Sequence, residues 1–410
     1  CRSPRGDWAV AAALFVLMVL GLPVAFAMAI SVFIAIELGS SYPPIVVVKE
    51  MFSGLDSFPL LAVPFFILAA EIMTGGAITQ TLLRFASQFV GHLRGGLGYA
   101  NVISSTMFAG ISGSALADAA GPGAMMIRMM EKGGYDRSYA GALQDQQVSV
   151  GSLFMAGVFP GLLLACGSLV ANGFVSWKRD YRSSDPRPSK AEMWRNTVLA
   201  LPALGLIVLI VGGIRGGIFT PTEASVIAVF YALFCGFFVY RALCLRDLPA
   251  IILRAALISA AVLLILGAAR AFAWVLVIEG VPQFLAETII SWDLSPILFL
   301  LAVNLLMLLF GLFMDPLPGV MILVPILAPI SHALGIAPDH FAIIVIVNLT
   351  LGLTTPPVGS LIFVVSSAVN LRPAALIREM PPFFLANFIV LMLLTFLPAL
   401  STWLPKVSGF

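Results

Sequence analysis

The stretch NLTLGLTTPPVGSLIFV, residues 348–364, decides what kind of chain this is. It is apolar enough for a membrane, yet two adjacent prolines, Pro356 and Pro357, interrupt it. Each proline lacks a backbone donor, and each disfavours helix at the residue before it. Hydrocarbon supplies no replacement hydrogen-bond partner, so a broken helix at membrane depth is buried in protein or lines a cavity. Thr350, Thr354 and Thr355 place hydroxyl oxygens around the break, and Gly352 and Gly359 give the chain room to turn. Unwound backbone rich in oxygens is how transporters hold a hard cation such as sodium. Two readings stand: a cation site built on Thr350, Thr354, Thr355, Pro356, Pro357 and Gly359, or a plain proline kink satisfied by the neighbouring hydroxyls.

The rest of the chain supplies the membrane. Of its 410 residues, 60% are hydrophobic and 10% charged, with a mean hydropathy of +1.05. Soluble domains carry about 25% charged residues, and a water-soluble core cannot absorb this apolar excess. A net charge of +2 gives no basic field for nucleic acid. Cys1, Cys166, Cys235 and Cys244 show no paired spacing and read as small hydrophobes. His92, His332 and His340 stand apart, with no HExxH, so neither a transition-metal site nor a cofactor is expected. The chain opens CRSPRGDW, and the apolar run 9–36 is longer than a signal core. That run reads as a first membrane helix, with sequence before it lost or fused.

Runs near the 20 residues of a spanning helix recur from 9–36 to 382–400, giving an all-α, polytopic membrane protein. Trp177–Arg195 is the long polar loop, rich in Lys and Arg, and is therefore cytoplasmic. The basic stretch 240–254 falls on the same side, and the short glycine-rich link 212–225 on the other.

The loop also separates two similar halves, 1–176 and 196–410. FAGISGSALADAAGPGAMMIRMM in the first corresponds to LFGLFMDPLPGVMILVPILAPIS in the second, with Asp118 matching Asp315 and Asp136 matching Asp339. Interrupted apolar segments at corresponding positions point to a transporter binding site. They predict hairpins near 98–130 and 296–335, and a broken helix over 341–369. A carboxylate at membrane depth costs about 2.5–3.5 kcal/mol on insertion scales. Asp118 and Asp315 therefore read as ion ligands, as caps of each hairpin's second limb, or as both. Glu71 and Glu279 read as interfacial helix ends; Arg270, between apolar flanks, pairs with a carboxylate or carbonyls or meets an anionic substrate.

FSGLDSFPLLAVPFFILAAEIM, GHLRGGLGYANVISSTMFAGISGSALADAAG, GIFTPTEAS, FMDP and the opening stretch together resemble the large membrane subunit of tripartite ATP-independent periplasmic (TRAP) transporters, over nearly the whole chain. The resemblance implies a sodium-driven symporter of the bacterial inner membrane, built as an inverted-repeat elevator with two re-entrant hairpins and broken helices. It implies a periplasmic binding protein that delivers an organic acid, of dicarboxylate or sialic-acid type, and a small four-helix membrane subunit. Sodium ions would be the coupling ions. It places Ser112, Ser114 and Asp118 in the first hairpin, Asp315 in the second, and Thr354–Gly359 in the broken helix opposite.

One departure stands out. After YDRSYAGAL the family runs through a proline-rich break, whereas this chain reads QDQQVSVGSLFMAGVFPGLLL. Internally, the 16 residues from Asp339 to Thr355 lead from Asp136 only to Ser152, with Gln144, Asp145, Gln146 and Gln147 where an apolar span belongs. Either one broken helix is deleted after Leu143, which would strip the first ion site of half its shell and invert the spans downstream, or the Leu143–Val148 join is a sequence error. The competing functions are a deleted, transport-inactive relative and an intramembrane enzyme; the enzyme would need convergent catalytic groups, which are not apparent.

Overall fold

The computed structural model describes residues 13, 14, 16, 17, 20, 22–39, 42–56, 61–74, 78–112, 119, 123–146, 158–181, 188–280, 284, 287, 288, 291, 295–312, 316–356 and 359–408. The principal elements among them are all helices. In the first half these are α1 (Val24–Gly39), α2 (Ile45–Leu55), α3 (Ala62–Thr74), α4 (Ile78–Val90), α5 (Gly96–Ser112), α6 (Ala124–Lys132), α7 (Arg137–Asp145) and α8 (Val158–Lys178). The second half has α9 (Lys190–Arg215), α10 (Pro221–Phe234, extended by a π-turn to Val239) and α11 (Leu248–Ile278). It continues with α12 (Pro296–Gly311), α13 (Pro316–Ala333), α14 (Pro338–Leu353), α15 (Ser360–Ala368), α16 (Pro373–Glu379), α17 (Pro381–Phe396) and α18 (Ala399–Ser408).

Four described helices are long and apolar enough to cross a membrane: Phe159–Lys178, Lys190–Ile214, Thr222–Val239 and Leu248–Ile278. Their outward faces are apolar, with Val170, Phe174, Val208, Phe230 and Leu257 all more than 60% exposed. Water would penalise such a surface, and acyl chains do not. Limbs α12 and α5 have 16 and 17 residues, about 24–26 Å at about 1.5 Å per residue. That falls short of the roughly 30 Å hydrocarbon core, as re-entrant limbs require.

Short polar signals set the helix starts. Asp136 caps α7, its Oδ1 accepting from the Ser138 and Tyr139 amides at 2.8 and 3.1 Å. Ser295 caps α12 ahead of Pro296. Thr220 and Glu223 form a reciprocal capping box at α10, which accounts for that glutamate beside an apolar run. Ser189 and Glu192 do the same at α9. The polar loop is accordingly shorter than 177–195: α8 runs to Lys178 and α9 already includes Lys190–Arg195. The proposed second-half broken helix is likewise resolved into α14 and α15, beginning at Pro338 rather than 341.

Four apolar clusters organise the packing, the smallest joining Leu164 of α8, Val347 of α14 and Leu391 of α17. One holds α3, α4, α9 and α10, through Met73, Leu82, Leu206 and Ala228. Another packs α12, α13 and α14 against α1 and α11, through Met28, Phe272, Val303 and Leu349. The third surrounds α7: Tyr139 and Leu143 of α7 and Val175 of α8 meet Val365 of α15, Leu376 of α16 and Phe383 of α17. The junction between α14 and α15 lies where the second and third clusters meet. Helix α15 is followed by a sharp bend of 114° into α16.

Candidate functional site

Helix α14 ends at Leu353, and the next helix starts at Ser360, just after Gly359. Pro356 and Pro357 have no amide hydrogen to continue the ladder. The chain closes the gap with short turns, Thr355 N–H donating to the Gly352 carbonyl at 3.0 Å and Gly359 N–H to the Thr355 carbonyl at 3.1 Å. A Cβ on Gly359 would sit 2.2 Å from the Leu353 carbonyl oxygen, so only glycine fits this return.

The three threonines are all present at the break, with their hydroxyl hydrogens committed. Thr350 donates to Ile346 O at 2.7 Å, and Thr354 and Thr355 both donate to Leu351 O at 2.8 Å. Their hydroxyl oxygens keep lone pairs for a ligand. Thr350 and Thr354 are buried, while Thr355 and Pro356 are half-buried. Pro357 lies outside the described residues, as do Ser114, Asp118 and Asp315; Ser112 ends α5, and its side chain is also outside them.

The second hairpin reaches the break directly. A Cβ on Gly352 would lie 2.5 Å from the Gly311 Cα, so α12 and α14 touch backbone to backbone just before the hairpin tip. One step deeper, Asn348 Nδ2 donates to Asn304 Oδ1 at 2.6 Å, and Asn304 Nδ2 donates to Thr395 Oγ1 at 2.9 Å. This buried polar chain ties α14, α12 and α17 together.

The Gln144–Gln146 stretch is the surprise. These residues are buried at the end of α7, not looped out. The Gln146 side-chain amide donates to the Thr354 carbonyl at 3.1 Å and to Asp145 Oδ2 at 3.2 Å. Asn387 Nδ2 donates to the Gln146 carbonyl at 2.9 Å, and Ser168 Oγ to Asn387 Oδ1 at 3.4 Å. Gln144 packs against Gly123 at the start of α6, where a Cβ would come within 2.6 Å of it. A layer of polar groups from α7, α8 and α17 thus also meets the break, through Gln146 at the Thr354 carbonyl. Sequence reasoning marked Gln144–Gln147 as out of place but missed Ser168, Asn304, Asn348 and Asn387. Each is a polar residue inside an apolar run, and that was the available signal.

Helices α7 and α8 run antiparallel. At their outer ends Tyr139 OH donates to Asn172 Oδ1 at 2.6 Å, and Asp136 N–H lies 3.4 Å from Tyr181 OH. The start of α7 and the end of α8 therefore lie side by side.

Other candidates resolve simply. Glu71 pairs with Arg254 at 3.0 Å, and Glu279 closes α11. His340 Nδ1 is 2.6 Å from Ser401 Oγ. Arg270 is exposed on α11 and forms no hydrogen bond or ion pair among the described residues. No cluster of three His, Cys, Asp or Glu side chains able to hold a metal occurs among the described residues.

Comparison with known proteins fits this geometry. The family model described as "Tripartite ATP-independent periplasmic transporter, DctM component" matches residues 11–147 and 145–400. The C4-dicarboxylate TRAP transporter large permease protein DctM of Rhodobacter capsulatus is 36% identical over 434 residues, covering 97% of this chain and 98% of that one. The sialic acid TRAP transporter large permease protein SiaM of Vibrio cholerae is 35% identical over 412 residues, covering 95% and 96%. Among solved structures, the Alcanivorax borkumensis YdaH transporter superposes with a TM-score of 0.52 over 88% of this chain and 87% of its own, at 17% identity, a likeness of fold.

Proposed function

Because the chain belongs to the DctM-component family of tripartite ATP-independent periplasmic transporters, it is a multi-pass membrane permease subunit and not an enzyme, and we propose that it imports an organic acid using a sodium gradient. The observation that carries this reading is the α14–α15 break: threonine oxygens and unwound backbone in a buried setting, with Gly311 of the second hairpin pressed against Gly352. Such breaks offer carbonyl and hydroxyl oxygens to a hard cation. Sodium is held there by Thr350, Thr354, Thr355 and the backbone through Gly359, with Asp315 at the hairpin tip and Ser112, Ser114 and Asp118 as the first-half counterparts.

In this reading the protein sits in the bacterial inner membrane, braced by a small four-helix subunit. A periplasmic binding protein hands it a dicarboxylate- or sialic-acid-like substrate, and the hairpins and broken helix move together as an elevator. The names of the relatives support the substrate class. The test is uptake of labelled dicarboxylate or sialic acid into vesicles holding this chain, the small subunit and the binding protein. Uptake that needs an inward sodium gradient is expected; uptake indifferent to sodium overturns the coupling, and none with any organic acid overturns the function.

A second reading has its own support. The family model matches in two pieces that meet at residues 145–147, and the R. capsulatus alignment of 434 residues is longer than the 410-residue chain. Both support a gap in this chain, and the two family matches meet at the Gln144–Gln147 stretch. The chain is then an internally shortened permease whose first-half site is weakened, with transport reduced or lost.

A further inference from the structure

We propose that Asp145, buried at the end of α7, is a proton-binding site poised to report its protonation state to the α14–α15 break. Asp145 has no exposed surface, and its Oδ1 has no hydrogen-bond partner among the described residues. Its Oδ2 receives one bond, from the neutral Gln146 amide at 3.2 Å. An ionised carboxylate taken out of water without a cation is costly, and such groups neutralise instead.

Among the described residues, the surroundings supply no cation to Asp145. The break contributes no titratable group between Asn348 and Gly359, and neither α15 nor α17 carries one. From α6, Arg128 bonds its own Ala124 carbonyl, Glu131 lies 3.6 Å from Arg137, and Lys132 is exposed. From α16, Glu379 is taken by Arg179, and Arg378 makes no bond to Asp145. Tyr99 of α5 lies beside Gly173, Tyr139 of α7 bonds Asn172, and Cys166 and Lys178 of α8 do not reach Asp145. Asp118, between α5 and α6, lies outside the described residues. No positive side chain on these elements bonds Asp145 among the described residues.

The chemistry is a simple protonation. A proton from water forms an O–H bond at Oδ1, the oxygen without a donor, and returns to water when Asp145 ionises; no electrons change hands. Gln146 transmits the change, because one amide group serves both Asp145 Oδ2 and the Thr354 carbonyl. Ionisation strengthens the bond to the carboxylate and draws the amide from Thr354, freeing a carbonyl oxygen at the break. Only this last consequence rests on the transport reading; protonation itself does not.

Infrared spectroscopy of the purified full-length chain tests it without substrate or partner. Wild type at neutral pH should show a protonated-carboxyl carbonyl band that shifts when aspartate is labelled with heavy carbon. The band should vanish on alkaline titration and in Asp145→Asn. The labelled wild-type measurement stands even if the variant misfolds. Absence of a labelled band at neutral pH, its persistence in Asp145→Asn, or an ionised Asp145 signal perturbed by sodium would each overturn the proposal, the last in favour of a cation ligand. A chain that shows the band yet imports nothing would instead overturn the transport reading.

Discussion

Gly352 and Gly311 show how little room the break leaves. A methyl at Gly352 would meet Gly311 Cα at 2.5 Å and its carbonyl carbon at 2.8 Å, and backbone cannot rotate aside as a side chain can. Gly352→Ala should therefore push the second hairpin off α14, at the roughly 1–3 kcal/mol typical of overpacking. The expected outcome is a lower thermal unfolding midpoint in detergent, and an unchanged midpoint contradicts the contact. Thr355→Val keeps the volume and removes the hydroxyl that bonds Leu351 O. Sodium affinity measured by calorimetry should fall while the fold survives, since one such bond contributes only about 0.5–1.5 kcal/mol; unchanged affinity would leave the break a plain kink. The break itself was legible, because two prolines between threonines inside an apolar run admit few explanations. Its lateral polar layer was not: residues 146, 168 and 387 are far apart in sequence, and only the fold brings them to one level.

At the scale of elements, α12, α14 and α17 are fastened by Asn348, Asn304 and Thr395. Asn348→Leu would leave Asn304 Oδ1 buried without its donor, at about 1–3 kcal/mol. Asn304→Leu combined with Asn348→Leu removes both orphans at once, so the pair should cost less than the sum of the singles in thermal unfolding. Strict additivity would show the two asparagines to be independent. The apolar helices could be anticipated from apolar runs ended by Gly, Pro and Asp. Helix starts were misplaced where a cap was overlooked: SKAE at Ser189–Glu192 carries the S-x-x-E signature, yet its charged residues read as loop. Their charge still orients the molecule, and the positive-inside rule predicts that Lys190→Cys is labelled by a membrane-impermeant thiol reagent only from the cytoplasmic side. Labelling from outside would reverse every span.

For the whole molecule, the two halves are unequal in a way that bears on transport. Helix α14 has 16 residues before its break, whereas α7 has 9 before Gln146, and no double proline follows it. The halves nevertheless close on each other, with α7 packed on α15 and α16 and Gln146 bonded to Thr354. On the transport reading, a first-half ion site would lack the opposing oxygens that the α14–α15 break offers in the second half. Inserting an apolar, double-proline span after Leu143 should restore those oxygens. The comparison is between this chain and the extended one, matched for expression and thermal midpoint, each with the same binding protein and small subunit. Sodium-driven uptake should be severalfold higher in the extended chain, and its dependence on sodium concentration steeper, because a second ion joins the cycle. Equal rates and equal steepness would mean that Gln144–Gln146 already complete the first half, and that the buried polar layer is a working replacement for the missing span.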